Sequence, residues 1–468
     1  MKKTVVLGIH WEQNSGASLF INGKLTSALS EERCSKVKND ERYPYNAIEE
    51  ILKKNGIKKE DITIIAVATK SWSAEYSLRR HYSSTTVKQH IIDQYEYWKP
   101  ILIENKDVDY LKLNRDRLDL NQYPGEDYWK NVVDGAMKRN KEELSDYYKK
   151  IRIEVIKGHL GNQEIIEVEH TACHAAAGLL FNRQEFRRAA VVTLDGWGDG
   201  VNHSIRILDN KEGENEIELI MKKGTSEIAR IYRYATLALG MKPNEHEYKL
   251  MGLAPYANKK YTTNVCNKLK KIVKVDDISI NKCGANKDTY FHLKNIFEGE
   301  RFDNIAGGLQ EFVEDLLVEW FSNIAKLGVD HIIYCGGVAM NVKANMTIKK
   351  LLKEKNIGLS VPLAPDDTSQ CIGAAYSVII GLHEEQISNK IKLDYDARAN
   401  IQTAYLGVDK SKEINEVKNS RQLNEYEVTE YNLDRIVEGL SAGNIYARWD
   451  GNEEFGARAL GNRSVIAD

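Results

Sequence analysis

The sequence predicts an α/β fold built around a duplicated core, and three observations carry that reading. Residues 4–29 read as strand, polar turn, strand, tight turn and strand, and the same order returns at 189–221. Later segments alternate short apolar strands with helical patterns, the grammar of parallel α/β units. The chain has 468 residues, 42% hydrophobic and 29% charged, which is ordinary globular composition with room for more than one domain.

The elements follow in order. The β-branched run 4–9 predicts a strand, and His10-Trp11-Glu12-Gln13-Asn14 the turn after it. A strand at 17–21 ends in Asn22-Gly23, a strong hairpin signal, and a third strand at 25–29 runs into Glu31-Glu32-Arg33. Ile48, Ile51 and Leu52 share one face of a helix over 45–55. The stretch 72–161, rich in Tyr, Trp, Lys, Asp and Asn, reads as a helical insert able to cover a cleft, with a helix across 138–156. The second copy has a strand at 189–194, a turn at 195–200, a strand through 202–208, a turn at Asp209-Asn210 and a strand through 218–221. Then come a buried strand at 331–335, a helix carrying Val342, Met346 and Ile348, a strand at 357–361, the loop 362–369 and an apolar helix over 370–382. The polar stretch 384–400 reads as a linker, dividing a core of 1–390 from a smaller unit at 400–468.

Composition excludes several classes of function. Lys and Arg number 66 against 68 Asp and Glu, a net charge of −2, which is not the basic footprint of a nucleic-acid binder. No apolar run reaches the roughly 18–20 residues of a membrane span, and the N-terminus lacks a secretory pattern, so the expectation is a soluble cytoplasmic protein. None of the six cysteines forms a C-x-x-C pair, so they read as buried structural thiols.

Several constellations could carry chemistry. In Glu169-His170-Thr171-Ala172-Cys173-His174, helical geometry puts His170 and His174 on one face, close enough to hold one metal; a helix that merely carries two histidines is the plainer alternative. Asp195 and Asp367 stand at the carboxyl ends of strands, where α/β sheets place their ligands. Two histidines and two carboxylates suit iron, manganese or zinc with open positions, and the set does not choose among them. Gly336-Gly337 between strand and helix admits a phosphate, or is simply a tight turn. Lys249 is a phosphate contact or a surface lysine. Arg458, Arg463 and Ser464, set among glycines, suit bidentate anion binding or surface ion pairing.

Taken in order, EERCSKVKND (31–40), EHTACHAAAG (169–178), VVTLDGWGD (191–199), YKLMGLAPYA (248–257), YCGGVAMNVKAN (334–345), PDDTSQCIGAA (365–375) and EFGARALGNRSVIAD (454–468) resemble the O-carbamoyltransferase family of nodulation-factor and antibiotic biosynthesis. The resemblance implies a duplicated actin-like, sugar-kinase and heat-shock core, shared with the tRNA threonylcarbamoyl transferases, followed by the start of a YrdC-like α/β domain. It implies two steps: carbamoyl phosphate and ATP give carbamoyladenylate, and the carbamoyl group then passes to a hydroxyl of a small-molecule acceptor with release of AMP. By the same resemblance His170, His174, Asp195 and Asp367 are metal ligands, with Fe2+ the first choice and Mn2+ or Zn2+ the alternatives, and ATP arrives with Mg2+. Lys38 matches a lysine that contacts the adenylate. Gly196, Lys249, Gly336, Gly337 and Asn341 fall in nucleotide-binding segments, and Arg458, Arg463 and Ser464 in the anion-binding segment of the smaller domain. No nucleic-acid or membrane partner is implied, and a homodimer is left open.

Three departures matter. The family's His-Asp pair near the N-terminus falls on Gln13 and Asn14, neither of which can act as a general base, which makes His10 the nearest stand-in. The C-terminal motif reads Gly451-Asn452 and Ala457 where the family has Gly-Arg and Pro. The chain stops at Asp468, early in the YrdC-like region, so it is either cut short or lacks the activating half. The longer 72–161 segment is expected to select the acceptor. A tRNA threonylcarbamoyl transferase, a small-molecule kinase on the same fold and a non-enzymatic binding module are the rival readings.

Overall fold

Two mixed sheets share one strand plan. The computed structural model describes residues 3–71, 85–114, 117, 118, 120–211, 214–284, 287–395, 401, 403–418 and 432–468. In the first sheet β1 (Val5–His10), β2 (Gly16–Ile21) and β3 (Lys24–Ser30) form an antiparallel meander, and β4 (Ile64–Ala68) and β5 (Glu164–Val168) add parallel to β1, giving the order β3-β2-β1-β4-β5. The second sheet repeats this with the meander β6 (Arg188–Gly198), β7 (Val201–Lys211) and β8 (Glu214–Lys223). A separate hairpin, β9 (Val273–Asp276) and β10 (Ser279–Lys282), precedes β11 (His331–Cys335) and β12 (Gly358–Ser360), which add parallel to β6. With the edge strand β13 (Lys390–Leu393) the order is β12-β11-β6-β7-β8-β13. The duplication expected from the strand-and-turn grammar is therefore present in topology and strand direction.

Side-chain alternation sorts each strand between two layers. Val5, Leu7 and Ile9 of β1, with Ile65 and Val67 of β4, pack on the outside against the helices Tyr45–Asn55 and Lys141–Leu160. Their neighbours, including Val6, Ala66 and Ala68, face inward. The second sheet is covered on its outer side by the helix Phe302–Ile324. Between the sheets lie two helices that are apolar nearly all round, as burial on every side requires: His170–Phe181 and Gln370–Ile380. Each follows a strand of one sheet and packs on the other, His170–Phe181 leaving β5 for the second sheet and Gln370–Ile380 returning to the first. They touch at Gly373, where a Cβ would stand 1.9 Å from the carbonyl oxygen of Cys173. This exchange carries both helix N-termini to the midline between the sheets.

Several expectations are corrected. Asp209-Asn210 is not a turn but part of β7, because the Asp209 carboxylate takes the Arg188 guanidinium at 2.7 Å and both residues pair in the sheet. The helix expected at 138–156 spans Lys141–Leu160; Asn140 and Glu143 cap it reciprocally, which sets its start. It is the crossover between parallel β4 and β5, with Tyr148, Ile151 and Val155 in the core, so the 72–161 segment is only in part an insert. Residues 72–84 of that segment lie outside the described residues. The polar stretch 384–400 is not simply a linker: Lys390–Leu393 alternates lysines with Ile391 and Leu393 and joins the edge of the second sheet, while 396–400 lie outside the described residues. Of the three residues that marked the Val342–Glu354 helix in the sequence only Ile348 is buried, alongside Ala344 and Leu352; Val342 and Met346 are exposed. Beyond β13, the Leu406 carbonyl accepts the Ala28 amide of β3, and Phe455 and Gly407 pair with Ala404 and Glu453. The chain ends in the hairpin β14 (Tyr446–Trp449) and β15 (Arg463–Ile466).

Candidate metal and nucleotide site

Four chain segments converge where the inner helices begin. His170 opens its helix directly after β5; Glu169 caps it by accepting the Ala172 amide at 2.9 Å, and Asp199 accepts the His170 amide at 2.8 Å. His174 lies one turn further in, fully buried. Asp195 sits where β6 and β7 lose register between Leu194 and Gly198, an irregularity of the kind that re-aims a side chain. Asp367 comes from the loop that leads into Gln370–Ile380.

The four functional ends meet. His170 Nε2 is 3.1 Å from Asp195 Oδ2 and 3.4 Å from Asp367 Oδ1. His174 Nε2 is 3.3 Å from Asp367 Oδ1 and 3.9 Å from Asp195 Oδ2. One donor atom from each lies within 4.8 Å of all the others. Only the His170–Asp195 contact has hydrogen-bond geometry; both ring nitrogens of His174 and Asp367 Oδ1 are buried without a hydrogen-bond partner among the described residues. Orphaned nitrogens and carboxylate oxygens in one shell are what a divalent cation satisfies, so the residues fit such an ion. Burial disfavours charge on His170, but the Asp195 hydrogen bond and the Asp367 charge outweigh it and hold the imidazole well above its usual range; His174 is raised too, against burial, by its closeness to the same two carboxylates. Asp195, despite burial, is held well below the usual carboxylate range by the two histidines. Asp366 stays outside the cluster.

Asp195 and Asp367 open into a cleft of about 1350 Å3, which Gln13, Lys38, Gly196, Gly337, Asn341 and Arg458 also line. Lys38 is presented by a loop whose acids are structural. Glu31 accepts the Ala47 amide at 2.8 Å and the Asn46 side chain at 2.6 Å, capping the Tyr45–Asn55 helix, and Glu32 accepts the Asn39 amide. Gln13 reaches the Asn244 carbonyl at 3.3 Å. His10 is fully buried with its Nε2 on the Gln13 carbonyl, and burial lowers its pKa to about 4. The Gly337 amide donates to Asp195 Oδ1 at 2.6 Å, and that of Gly336 to the Pro365 carbonyl at 2.7 Å, so the paired glycines tie the two carboxylate-bearing segments together. Asn341 caps the Val342–Glu354 helix and exchanges reciprocal amide bonds with Gln310 at 3.0 and 3.1 Å.

Other expected residues lie elsewhere. Lys249 is exposed, 5.9 Å from the Tyr248 ring, and it is Tyr248 and Met251 that face the cleft. Arg463 gives its guanidinium to the carbonyls of Asp450, Gly451 and Asn462 and stacks 3.6 Å from the Trp449 ring centre. Ser464 Oγ accepts the Gly461 amide. Sequence reasoning missed Glu12, half-buried beside Thr69, whose carboxyl burial raises to about 7. It also missed Gln310; no local pattern marks either.

A family model described as carbamoyltransferase N-terminus matches residues 5–376. The chain belongs to this family. As a carbamoyltransferase it has a relative in an uncharacterized protein of Methanocaldococcus jannaschii, 26% identical over 99% of this chain and 76% of that protein. The nodulation protein NolNO of Sinorhizobium fredii is 22% identical over 97% of this chain and 58% of its own length. A crystal structure of full-length HypF in the phosphate- and nucleotide-bound form is similar at 10% identity and a TM-score of 0.37, over 80% of this chain and 46% of HypF. No helix among this carbamoyltransferase's described residues is long and apolar enough to cross a membrane.

Proposed function

We propose that the protein is an ATP-dependent O-carbamoyltransferase. Carbamoyl phosphate, water and ATP give carbamoyladenylate, phosphate and pyrophosphate; a hydroxyl oxygen of a small-molecule acceptor then attacks the carbamoyl carbon, the bond to the adenylate phosphate breaks, and AMP leaves. The observation that carries this reading is the shared cleft: the carboxylates of the His170–His174–Asp195–Asp367 cluster open into the space that Lys38 and Arg458 line. His170, His174, Asp195 and Asp367 would hold a divalent cation, Fe2+ before Mn2+ or Zn2+, which when bound neutralises phosphate charge and improves AMP as a leaving group. Lys38 and Arg458 hold the phosphate by charge and orient the carbamoyl carbon. Asn341, fixed by Gln310, contacts the nucleotide, with Gly196 and the turn at Gln13 beside it.

The twinned strand order supports assigning the core to the actin-like, sugar-kinase and heat-shock fold. Residues 400–468 belong, on this reading, to a YrdC-like unit that makes the adenylate.

The two halves are tested separately. Supplied carbamoyladenylate should release AMP faster with a hydroxyl acceptor, and H174A or D195N should abolish the acceleration. With ATP, carbamoyl phosphate and Fe2+, pyrophosphate should form only when carbamoyl phosphate is present. ADP in place of AMP would overturn the reading in favour of a kinase.

A further inference from the structure

Resting on the carbamoyl-transfer reading, we infer that Trp197 and the Arg230 stacked on it form the acceptor subsite, and that the acceptor is a hydroxylated ring carrying a carboxylate or phosphate. Trp197 follows Asp195 by two residues on β6, within the same irregular stretch between Leu194 and Gly198. Both line the cleft, yet the indole stays 49% exposed. An indole of that size left open on a cleft floor is a stacking surface.

Its neighbours fix it. A Cβ on Gly224 would stand 3.2 Å from Trp197 Cη2 and Cζ3, so the glycine backbone supports the ring edge with no side chain between. The Arg230 guanidinium carbon lies 4.6 Å from the ring centre, one of its nitrogens stands 3.4 Å from Glu227, and the side chain stays 37% exposed. Arg233, Lys282 and Lys287 line the same wall. Its acids are committed: Glu227, 8% exposed, lies between Arg230 and Lys282, and Asp288 caps the Thr289–Phe297 helix. Glu245 and Glu247 line the cleft as well, but Glu245 is paired with Lys242 at 2.7 Å, and Glu247 accepts the Asn244 amide and is pushed by burial toward its neutral form, so the cations beside the indole are not all matched by free carboxylates. Trp98 and Leu102, from the segment between β4 and β5, complete the wall. Lys38, which follows β3 of the first sheet, and Arg458 line the cleft as further cations and, on the proposed reading, serve the nucleotide phosphate.

The test is equilibrium binding to the full chain by calorimetry, with glucuronate and glucose 6-phosphate as acidic rings and glucose as the neutral ring. Both acids should bind at least tenfold more tightly than glucose, weaken with salt, and lose at least tenfold in W197A and in R230A, with R230K recovering part of the loss. Saturating AMP should leave that binding in place. Equal binding of glucose, binding of neither acid, or indifference to both substitutions would overturn the inference; competition by AMP would overturn it by giving the wall to the nucleotide. The titrations contain no carbamoyl donor, and transfer is measured separately with supplied carbamoyladenylate. Acids that bind by this pattern but are never carbamoylated leave the subsite standing and sink the transfer reading, whereas transfer with KM unchanged in W197A and R230A sinks the subsite alone.

Discussion

The backbone amide of Gly337 donates to Asp195 Oδ1 at 2.6 Å while Asp195 Oδ2 faces His170 at 3.1 Å. A loop that reads in sequence as a phosphate cradle thus holds a carboxylate of the candidate metal cluster from behind. A Cβ at position 337 would stand 2.7 Å from Asp195 Oδ1. G337A should therefore displace the carboxylate and weaken divalent-metal binding about 10- to 100-fold, the usual cost of losing a supporting contact behind a ligand. Metal titration against an unchanged far-ultraviolet spectrum checks this.

Metal affinity should rise with pH. Without a cation, the Asp195 and Asp367 carboxylates raise the pKa of His170 and His174 against the opposing effect of burial. The raised rings keep their protons to higher pH than a free imidazole does, and a cation must displace those protons. Calorimetric titration with Fe2+ or Mn2+ in buffers of different ionisation enthalpy should show proton release. In the metal-free protein the same raised histidines contribute stability that is full at low pH and is lost as pH rises through their folded values.

Glu31 should be a stability residue and not a catalytic one. It caps the Tyr45–Asn55 helix, and burial raises its pKa to about 7. E31A should cost about 1–2 kcal/mol, the loss of a cap and its hydrogen bonds. Because the folded value lies above the ordinary one, Glu31 contributes most at low pH and less as pH climbs through about 7. The wild-type advantage in urea unfolding should thus be larger at pH 5 than at pH 8.

Removing Lys38 or Arg458 should weaken AMP binding at least tenfold while leaving metal affinity within a factor of about two, since each loses one charged phosphate contact. Calorimetry on K38A and R458A, metal-loaded, separates the two effects.

A last substitution probes the crossing of the inner helices. G373A would force a Cβ to within 1.9 Å of the Cys173 carbonyl, which neither buried backbone can relieve. The expected cost is about 3 kcal/mol in thermal or urea unfolding, at the upper end of ordinary overpacking.

Local signals were enough for much of the fold and for singling out His170 and His174 as candidate ligands. Hairpin chemistry at Asn22-Gly23, β-branched runs and the spacing of Ile48, Ile51 and Leu52 fixed elements because those forces act within a few residues, and His170 and His174 lie one helical turn apart in any frame. Tertiary structure alone decided the rest. It kept Asp209 in a strand by pairing it with Arg188, made Lys141–Leu160 a core crossover, and turned Lys390–Leu393 into a sheet edge. It sent Lys249 to the surface, spent Arg463 on backbone carbonyls, and brought Arg230 over Trp197. Each of these outcomes depends on partners distant in the chain, because burial and charge complementarity exist only once the two sheets have closed on their shared helices.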